Sequence, residues 1–278
     1  MLVHIEMVRH SGPLVASAMG CLSALPNHDR PALNTALSTL HQTLLTINST
    51  MQTMWTRSAP HKYTSFRTFI FGITAQSMFP QGVIYQGVDD EKRVDFRGES
   101  GANDSMVPLV DNLLAVPMPA TPLTEILRDF RKYRPGEHRG FLEWVKRGSE
   151  EGGLKGWALQ MEDGEGDAEV RESRALWIKG LDQIRDFRWR HWCFAREYIL
   201  KRTSHPTATG GSPIVTWLPN QLAAVMDEMV RIYEGVGGAD GGLGEEVEGI
   251  MDLVGRQREM LRKEVQKFCE ERGVAEGV

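Results

Sequence analysis

One histidine of this sequence lies a helical turn after an arginine, inside a long segment with a clear apolar pattern. His191 follows Arg188 by three residues, so the two side chains share a face if the segment is helical. The residues on that face recur at the spacings of three or four that are typical of a helix: Trp177, Leu181, Ile184, Arg188, His191, Ala195 and Tyr198. The pattern predicts that His191 points into the core, with large hydrophobic side chains above and below it.

Two kinds of chemistry are open to this histidine. A lone His on an apolar face is most often a core residue whose ring nitrogens are satisfied by hydrogen bonds. A neutral imidazole in an apolar pocket is also the usual proximal ligand of haem iron. In that case Arg188 could meet an anionic group beside the iron. The Thr209-Gly210-Gly211 run could then lie close to a ligand, because glycine lets the backbone approach.

These residues resemble the indoleamine 2,3-dioxygenase family. His191-x6-Tyr198-Ile199, followed by residues 208–212, is similar to the family's proximal helix and its Gly-Thr-Gly-Gly-Thr loop, with Ala208 and Ser212 as departures. The resemblance implies an all-α fold, a large helical haem-binding domain with long irregular loops. It implies haem b as cofactor, O2 as co-substrate and His191 as the iron ligand. The expected reaction is opening of the indole ring of L-tryptophan, or a related indoleamine, to N-formylkynurenine, the first step of the kynurenine pathway.

A second arginine lies in an aromatic run. Arg67 is flanked by Phe66 and Phe69, and a buried guanidinium needs an anionic partner. That partner is either an internal Asp or Glu or, as the resemblance implies, the carboxylate of the substrate, which a guanidinium can bind with two hydrogen bonds. The aromatic and β-branched composition alone would allow a strand here, whereas the matching family segment is a helix that lines the substrate pocket. Lys62 stands where the animal enzymes have an aromatic residue.

The resemblance also implies roles for residues elsewhere in the chain. Residues 96–105 are similar to the family's Gly-Gly-Ser-Ala-Gly-Gln-Ser-Ser loop, which passes over the distal side of the haem, although Glu99 replaces a small residue. Asp111 matches an aspartate that pairs with the arginine before the proximal histidine, here Arg188. The implied cofactor-binding residues are His191, Arg188, Asp111, Ser100 and Gly101. The implied substrate-binding residues are Arg67, Tyr63, Thr209 and Gly210, of which Arg67 and Thr209 are also the implied catalytic residues.

Composition and charge narrow the class of protein. The 278 residues carry a net charge of -5, which argues against nucleic acid as the main partner, and the arginine-aromatic run at 185–192 is better explained as an amphipathic helix. Cys21, Cys193 and Cys269 lack metal-ligand spacing and suggest reduced thiols. No stretch reaches the roughly 18 apolar residues of a membrane span, and no secretory signal is visible. We expect a cytoplasmic monomer that acts on a small molecule.

Several further elements are predicted from the pattern. A helix with an apolar face runs from Leu33 to Met54, another begins at Thr121-Pro122 with Thr121 as N-cap, and a last one covers 247–268. Residues 131–142 resemble the family signature Met-Arg-x-Tyr-Met-Pro-x-x-His-Arg-x-Phe-Leu. Three acidic, glycine-rich stretches, 148–153, 162–169 and 235–246, are expected to be mobile surface loops.

The front of the chain differs from the family. The resemblance extends from about residue 3 to about residue 225, whereas family members also have a small N-terminal domain and a helix whose aromatic and Ser residues cover the distal haem face. The matching Ser would fall at or before Leu2, so we expect residues 1–278 to form the large catalytic domain alone. Three functions remain open at this point: a tryptophan dioxygenase, a haem-binding protein or sensor with little turnover, and a structural all-α protein with a buried histidine.

Overall fold

The fold is all-α, as predicted. A computed structural model describes residues 2–98, 100–120, 122–160, 167–203, 208–210 and 214–273. Thr121, the predicted N-cap, lies outside these residues, as do Glu99, residues 162–166 and the Gly211-Ser212 part of the loop motif. The helices of the described residues are α1 (Leu2–Val8), α2 (Ser11–Ala24), α3 (Arg30–Gln52), α4 (Met54–Arg57), α5 (Pro60–Arg67), α6 (Met106–Leu113), α7 (Pro122–Phe130), α8 (Gly136–Glu151), α9 (Leu154–Leu159), α10 (Ala168–Ala195), α11 (Ile214–Gly235) and α12 (Glu245–Arg272).

Helix α10 is the centre of the packing. The carboxylate of Asp167 caps its first turn by accepting a hydrogen bond from the Val170 amide at 2.9 Å. From there α10 packs against α3, α11 and α12. Trp177 and Leu181 on its predicted face are fully buried. The face that α3 turns towards the core is also apolar and buried, as predicted: Leu33, Leu37, Leu40, Leu44, Ile47 and Met51.

The end of α10 departs from regular α-helical geometry. Residues Arg196–Leu200 form a π-helical turn, in which backbone hydrogen bonds join residues five apart instead of four apart. The Tyr198 hydroxyl donates to the Ser58 carbonyl oxygen at 2.6 Å, just before α5. Helix α5 packs on this turn. The segment around Arg67 is therefore helical, as the resemblance implied, and the strand allowed by its composition is wrong. Pro60 at the first helical position and the packing surface of the π-turn both favour the helix.

The described residues between 68 and 105 are mostly irregular. They contain short 3-10 turns and a two-stranded antiparallel sheet of β1 (Val83–Ile84) and β2 (Arg93–Val94), with Val83 opposite Val94. None of the helices in the described ranges is both long enough and apolar enough to cross a bilayer.

The predicted surface loops are only partly loops. Gly148–Glu151 continue α8, because Ser149 is buried there and its hydroxyl donates to the Leu113 carbonyl oxygen at 2.7 Å. The helix ends at Glu151 with Gly152 as its C-cap, and Gly153 has a positive φ of 71°. Ala168 and Glu169 similarly belong to α10. Residues 236–244 are irregular as expected, with a single 3-10 turn at Gly238–Gly241. Helix α12 docks on the core through Val254 and Leu261.

Candidate functional site

Arg188 of α10 and Asp111 of α6 form the ion pair that the family resemblance implied. Arg188 Nη2 lies 2.8 Å from one carboxylate oxygen of Asp111 and 3.0 Å from the other. Arg188 Nη1 donates to the Gln221 carbonyl oxygen of α11 at 3.2 Å. Burial raises the pKa of Asp111, and the neighbouring Arg188 acts in the opposite direction. The guanidinium is thus held in one orientation by two other helices.

His191 occupies a different environment from the one predicted. Its side chain is exposed rather than packed in the core, whereas Ala195 and Tyr198 on the same face are buried. Burial nevertheless lowers the pKa of His191 to about 4. Solvent thus reaches part of the ring, while the protein around it removes part of the hydration that would stabilise an imidazolium. The imidazole is therefore neutral at physiological pH, with a lone pair available to a metal ion.

Arg67 lies at the end of α5 and is buried, with 4% of its surface exposed. Its guanidinium carbon is 4.6 Å from the centroid of the Phe71 ring, a cation–π contact. Burial lowers the pKa of Arg67 and raises the pKa of Tyr63, while the interaction between the two groups opposes both shifts. The Tyr63 ring is 5.8 Å from that of Tyr198. Tyr63 therefore connects the helix of Arg67 to the π-turn that follows His191.

Three backbone segments meet beyond Arg67. The Gly72 amide donates to the Thr209 carbonyl oxygen at 3.2 Å. A Cβ on Gly98 would lie 2.4 Å from the carbonyl oxygens of both Thr209 and Ile70, so only glycine fits at that position. The segment after Arg67, the segment before Ser100 and the Thr209 turn are thereby packed together. This contact unites three motifs that are far apart in the sequence.

The two predicted loop glycines differ in their surroundings. Gly210 is buried, and a Cβ there would lie 2.2 Å from Cζ of Phe130. The missing side chain of Gly210 thus makes room for Phe130 of α7, and the implied role of Gly210 in substrate binding stays a prediction. Gly101 is exposed at the start of a 3-10 turn, and a Cβ there would meet nothing within 4 Å. Ser100 beside it is half-buried.

Arg97 is a residue of this region that the sequence did not single out. Its Nε donates to Asp129 Oδ2 at 2.6 Å, and its Nη1 donates to the Gly210 carbonyl oxygen at 3.1 Å. Hydrogen bonds from Arg97 and Lys132 lower the pKa of Asp129. The one sequence feature that could have pointed to Arg97 is its position between Phe96 and Gly98 in a turn-rich segment. Its acceptors cannot be read from that pattern, because they lie 32 and 113 positions away in the chain.

The predicted residues therefore fall into two groups. The first group lies on α10 and α6 and consists of His191, Arg188 and Asp111. The second group lies in or beside the three converging backbone segments and consists of Arg67, Tyr63, Thr209 and Gly210. Ser100 and Gly101 come directly after the Gly98 segment in the sequence. The ring contact of Tyr63 with Tyr198 connects the groups.

The donor set in the first group fits a haem group. In the described ranges, no three His, Cys, Asp or Glu side chains are grouped so that they could hold a bare metal ion. His191 offers one neutral and accessible imidazole, which could serve as the ligand of a haem iron. Arg188, one turn away and oriented by Asp111, offers a cation for the acidic groups of such a macrocycle.

Comparison with known proteins gives the following matches. The model of the family described as indoleamine 2,3-dioxygenase matches residues 1–240. The 6-hydroxytryptophan 2,3-dioxygenase of Fusarium equiseti is 24% identical over 147 residues, which are 52% of this chain and 36% of that protein. The indoleamine 2,3-dioxygenase 1 of Mus musculus is 27% identical over 148 residues, again 52% of this chain and 36% of that protein. The chain thus matches little more than a third of the length of these two relatives.

Proposed function

This chain belongs to the indoleamine 2,3-dioxygenase family, and we propose that it is a haem-dependent dioxygenase that opens the indole ring of L-tryptophan or a related indoleamine. With L-tryptophan the product would be N-formylkynurenine. The observation that supports this most is the state of His191: a neutral imidazole, accessible to solvent, one turn from an arginine that Asp111 orients. A structural core histidine would instead be enclosed and hydrogen-bonded.

In this proposal His191 would hold the haem iron, and Arg188, oriented by Asp111, would bind the acidic edge of the haem. When bound, the haem supplies the activation of O2. The chain contributes a ligand that needs no deprotonation at neutral pH, because burial keeps the pKa of His191 low. Asp111 prevents Arg188 from turning away, since both carboxylate oxygens accept from Nη2. Ser100 and Gly101 lie on the loop that would pass near the cofactor.

Arg67 would bind the carboxylate of the substrate. Its guanidinium is desolvated against Phe71, so a charge-assisted hydrogen bond to a carboxylate would be strong there. The planar fork of an arginine fixes the direction of the bound amino acid, which a lysine would not. Tyr63, Thr209 and Gly210 would complete this side of the pocket, with Thr209 towards the ammonium group and the surrounding backbone excluding water.

Haem reconstitution followed by an activity assay tests the proposal. The purified chain should give a Soret band with one haem per chain and should form product from tryptophan. His191→Ala should lose the band, while His61→Ala, which changes an exposed histidine of α5, should retain it.

Three results would count against the proposal. Unchanged haem stoichiometry and spectrum in His191→Ala would show that another residue binds the iron. A Soret band without product would leave a haem-binding protein or sensor. No Soret band at all would leave a structural helical protein.

A further inference from the structure

Arg97 joins three parts of the fold through its side chain and its backbone. Besides the hydrogen bonds to Asp129 and Gly210, its guanidinium carbon lies 5.6 Å from the centroid of the Phe130 ring. Its own amide donates to the Tyr133 hydroxyl at 3.0 Å. The side chain is 19% exposed, so these contacts replace most of its contact with water. Arg97 therefore fixes the 96–98 segment and the Thr209–Gly210 turn to the end of α7.

The geometry of these contacts requires an arginine. One planar guanidinium reaches a carboxylate through Nε and a backbone carbonyl through Nη1, two acceptors on different segments. Gly210 must lie directly on Phe130 for Arg97 to make both hydrogen bonds, and the missing side chain of Gly210 permits that contact. Lys132 Nζ also lies 3.0 Å from a carboxylate oxygen of Asp129, and its side chain is 75% exposed. The two cations thus share an anion, and Arg97 also bonds to the turn through the Gly210 carbonyl oxygen.

The same turn is held from the other side by the segment that follows Arg67. The Gly72 amide donates to the Thr209 carbonyl oxygen, and Gly98 packs against both Thr209 and Ile70. Arg97 on one side and Gly72 on the other therefore set the distance between the Thr209–Gly210 turn and Arg67. We propose that Arg97, anchored by Asp129, is a positioning residue that fixes the Thr209–Gly210 turn relative to Arg67 and so sets the affinity for the amino-acid end of the substrate. This inference rests on the proposed function.

The test compares Arg97→Ala and Arg97→Lys with Lys132→Ala as the matched control. The first readout is hydrogen exchange of the Gly72 amide, followed by NMR, because that amide is bonded to the turn and reports its position without haem or substrate. The second is the separation of KM for tryptophan from kcat, with haem content measured in parallel. Arg97→Ala should speed exchange at Gly72 and raise KM about tenfold or more, the usual effect of losing hydrogen bonds to a charged group. Haem content and kcat should change much less.

The control and the conservative variant sharpen the comparison. Lys132→Ala should leave both readouts at the parent values. Arg97→Lys should shift them in the same direction as Arg97→Ala but less, because lysine keeps the positive charge but lacks the planar guanidinium that makes both hydrogen bonds. If Arg97→Ala does not fold, Arg97→Lys decides. Unchanged exchange at Gly72 in Arg97→Ala would overturn the proposal. Faster exchange with an unchanged KM, in a background where the parent is active, would overturn it too. A loss of haem from Arg97→Ala in parallel with the rise in KM would also overturn it. A parent that forms no product refutes the proposed function instead, and Gly72 exchange still shows whether Arg97 holds the turn.

Discussion

Nη2 of Arg188 contacts both carboxylate oxygens of Asp111, a residue 77 positions earlier in the chain. Both side chains are largely buried, with 12% and 14% of their surfaces exposed. A charge in such a place is tolerated only because its partner is there, since either one alone would lose its hydration without compensation. The pair thus permits a guanidinium to lie one helical turn from His191.

Asp111→Ala should lower the free energy of unfolding by about 3–5 kcal/mol, because it leaves the Arg188 charge buried and unpaired. The measurement is urea unfolding of the haem-free chain. Asp111→Ala combined with Arg188→Met should recover much of the loss, since no isolated charge then remains. A double variant as unstable as the single one would show that packing, and not charge, explains the effect.

The haem-free chain should lose stability as the pH falls from about 6.5 to about 4 through the protonation of His191. In that range the unfolded chain binds a proton at His191 and the folded chain does not, so acid favours the unfolded state. The total loss should be smaller than a fully enclosed histidine would give, because water reaches the ring. Urea midpoints of the parent and of His191→Gln across this range provide the measurement. Parallel pH profiles for the two would mean that the folded pKa is not depressed.

Arg67→Ala should weaken tryptophan binding by about 2–5 kcal/mol, the cost of removing one partner of a desolvated, charge-assisted pair. Haem content should be unchanged. Tryptamine, which lacks the carboxylate, provides the control, because its binding should hardly respond to the substitution. If tryptophan and tryptamine lose affinity equally, Arg67 shapes the pocket without binding the carboxylate, and an internal acidic partner becomes the better explanation.

Gly210→Ala should destabilise the chain by about 1–3 kcal/mol, because the added methyl group would overlap the Phe130 ring. Gly101→Ala is the matched control: the methyl group there meets open space, and stability should stay within about 0.5 kcal/mol of the parent. Phe130→Leu should relieve part of the Gly210→Ala defect. Thermal unfolding of the four chains suffices, and equal melting temperatures for the two glycine variants would contradict the predicted contact.

The sequence by itself determined the elements that carry the site. The spacing of apolar residues predicted the helices that became α3, α10 and α12, because one buried face at helical spacing needs no tertiary information to be recognised. The pairing of Asp111 with Arg188 was also predictable, through the family resemblance. Composition alone left the segment around Arg67 ambiguous between strand and helix, since aromatic and β-branched residues suit either once they are packed.

Only the tertiary structure decided what surrounds these residues. Periodicity placed His191 on the face of Trp177 and Tyr198. Whether that face is covered depends on which segments pack over it, and at His191 it stays exposed. The contact of Gly210 with Phe130 and the hydrogen bonds of Arg97 join residues far apart in the chain. No local pattern encodes such contacts, because they arise only when separate segments are packed together.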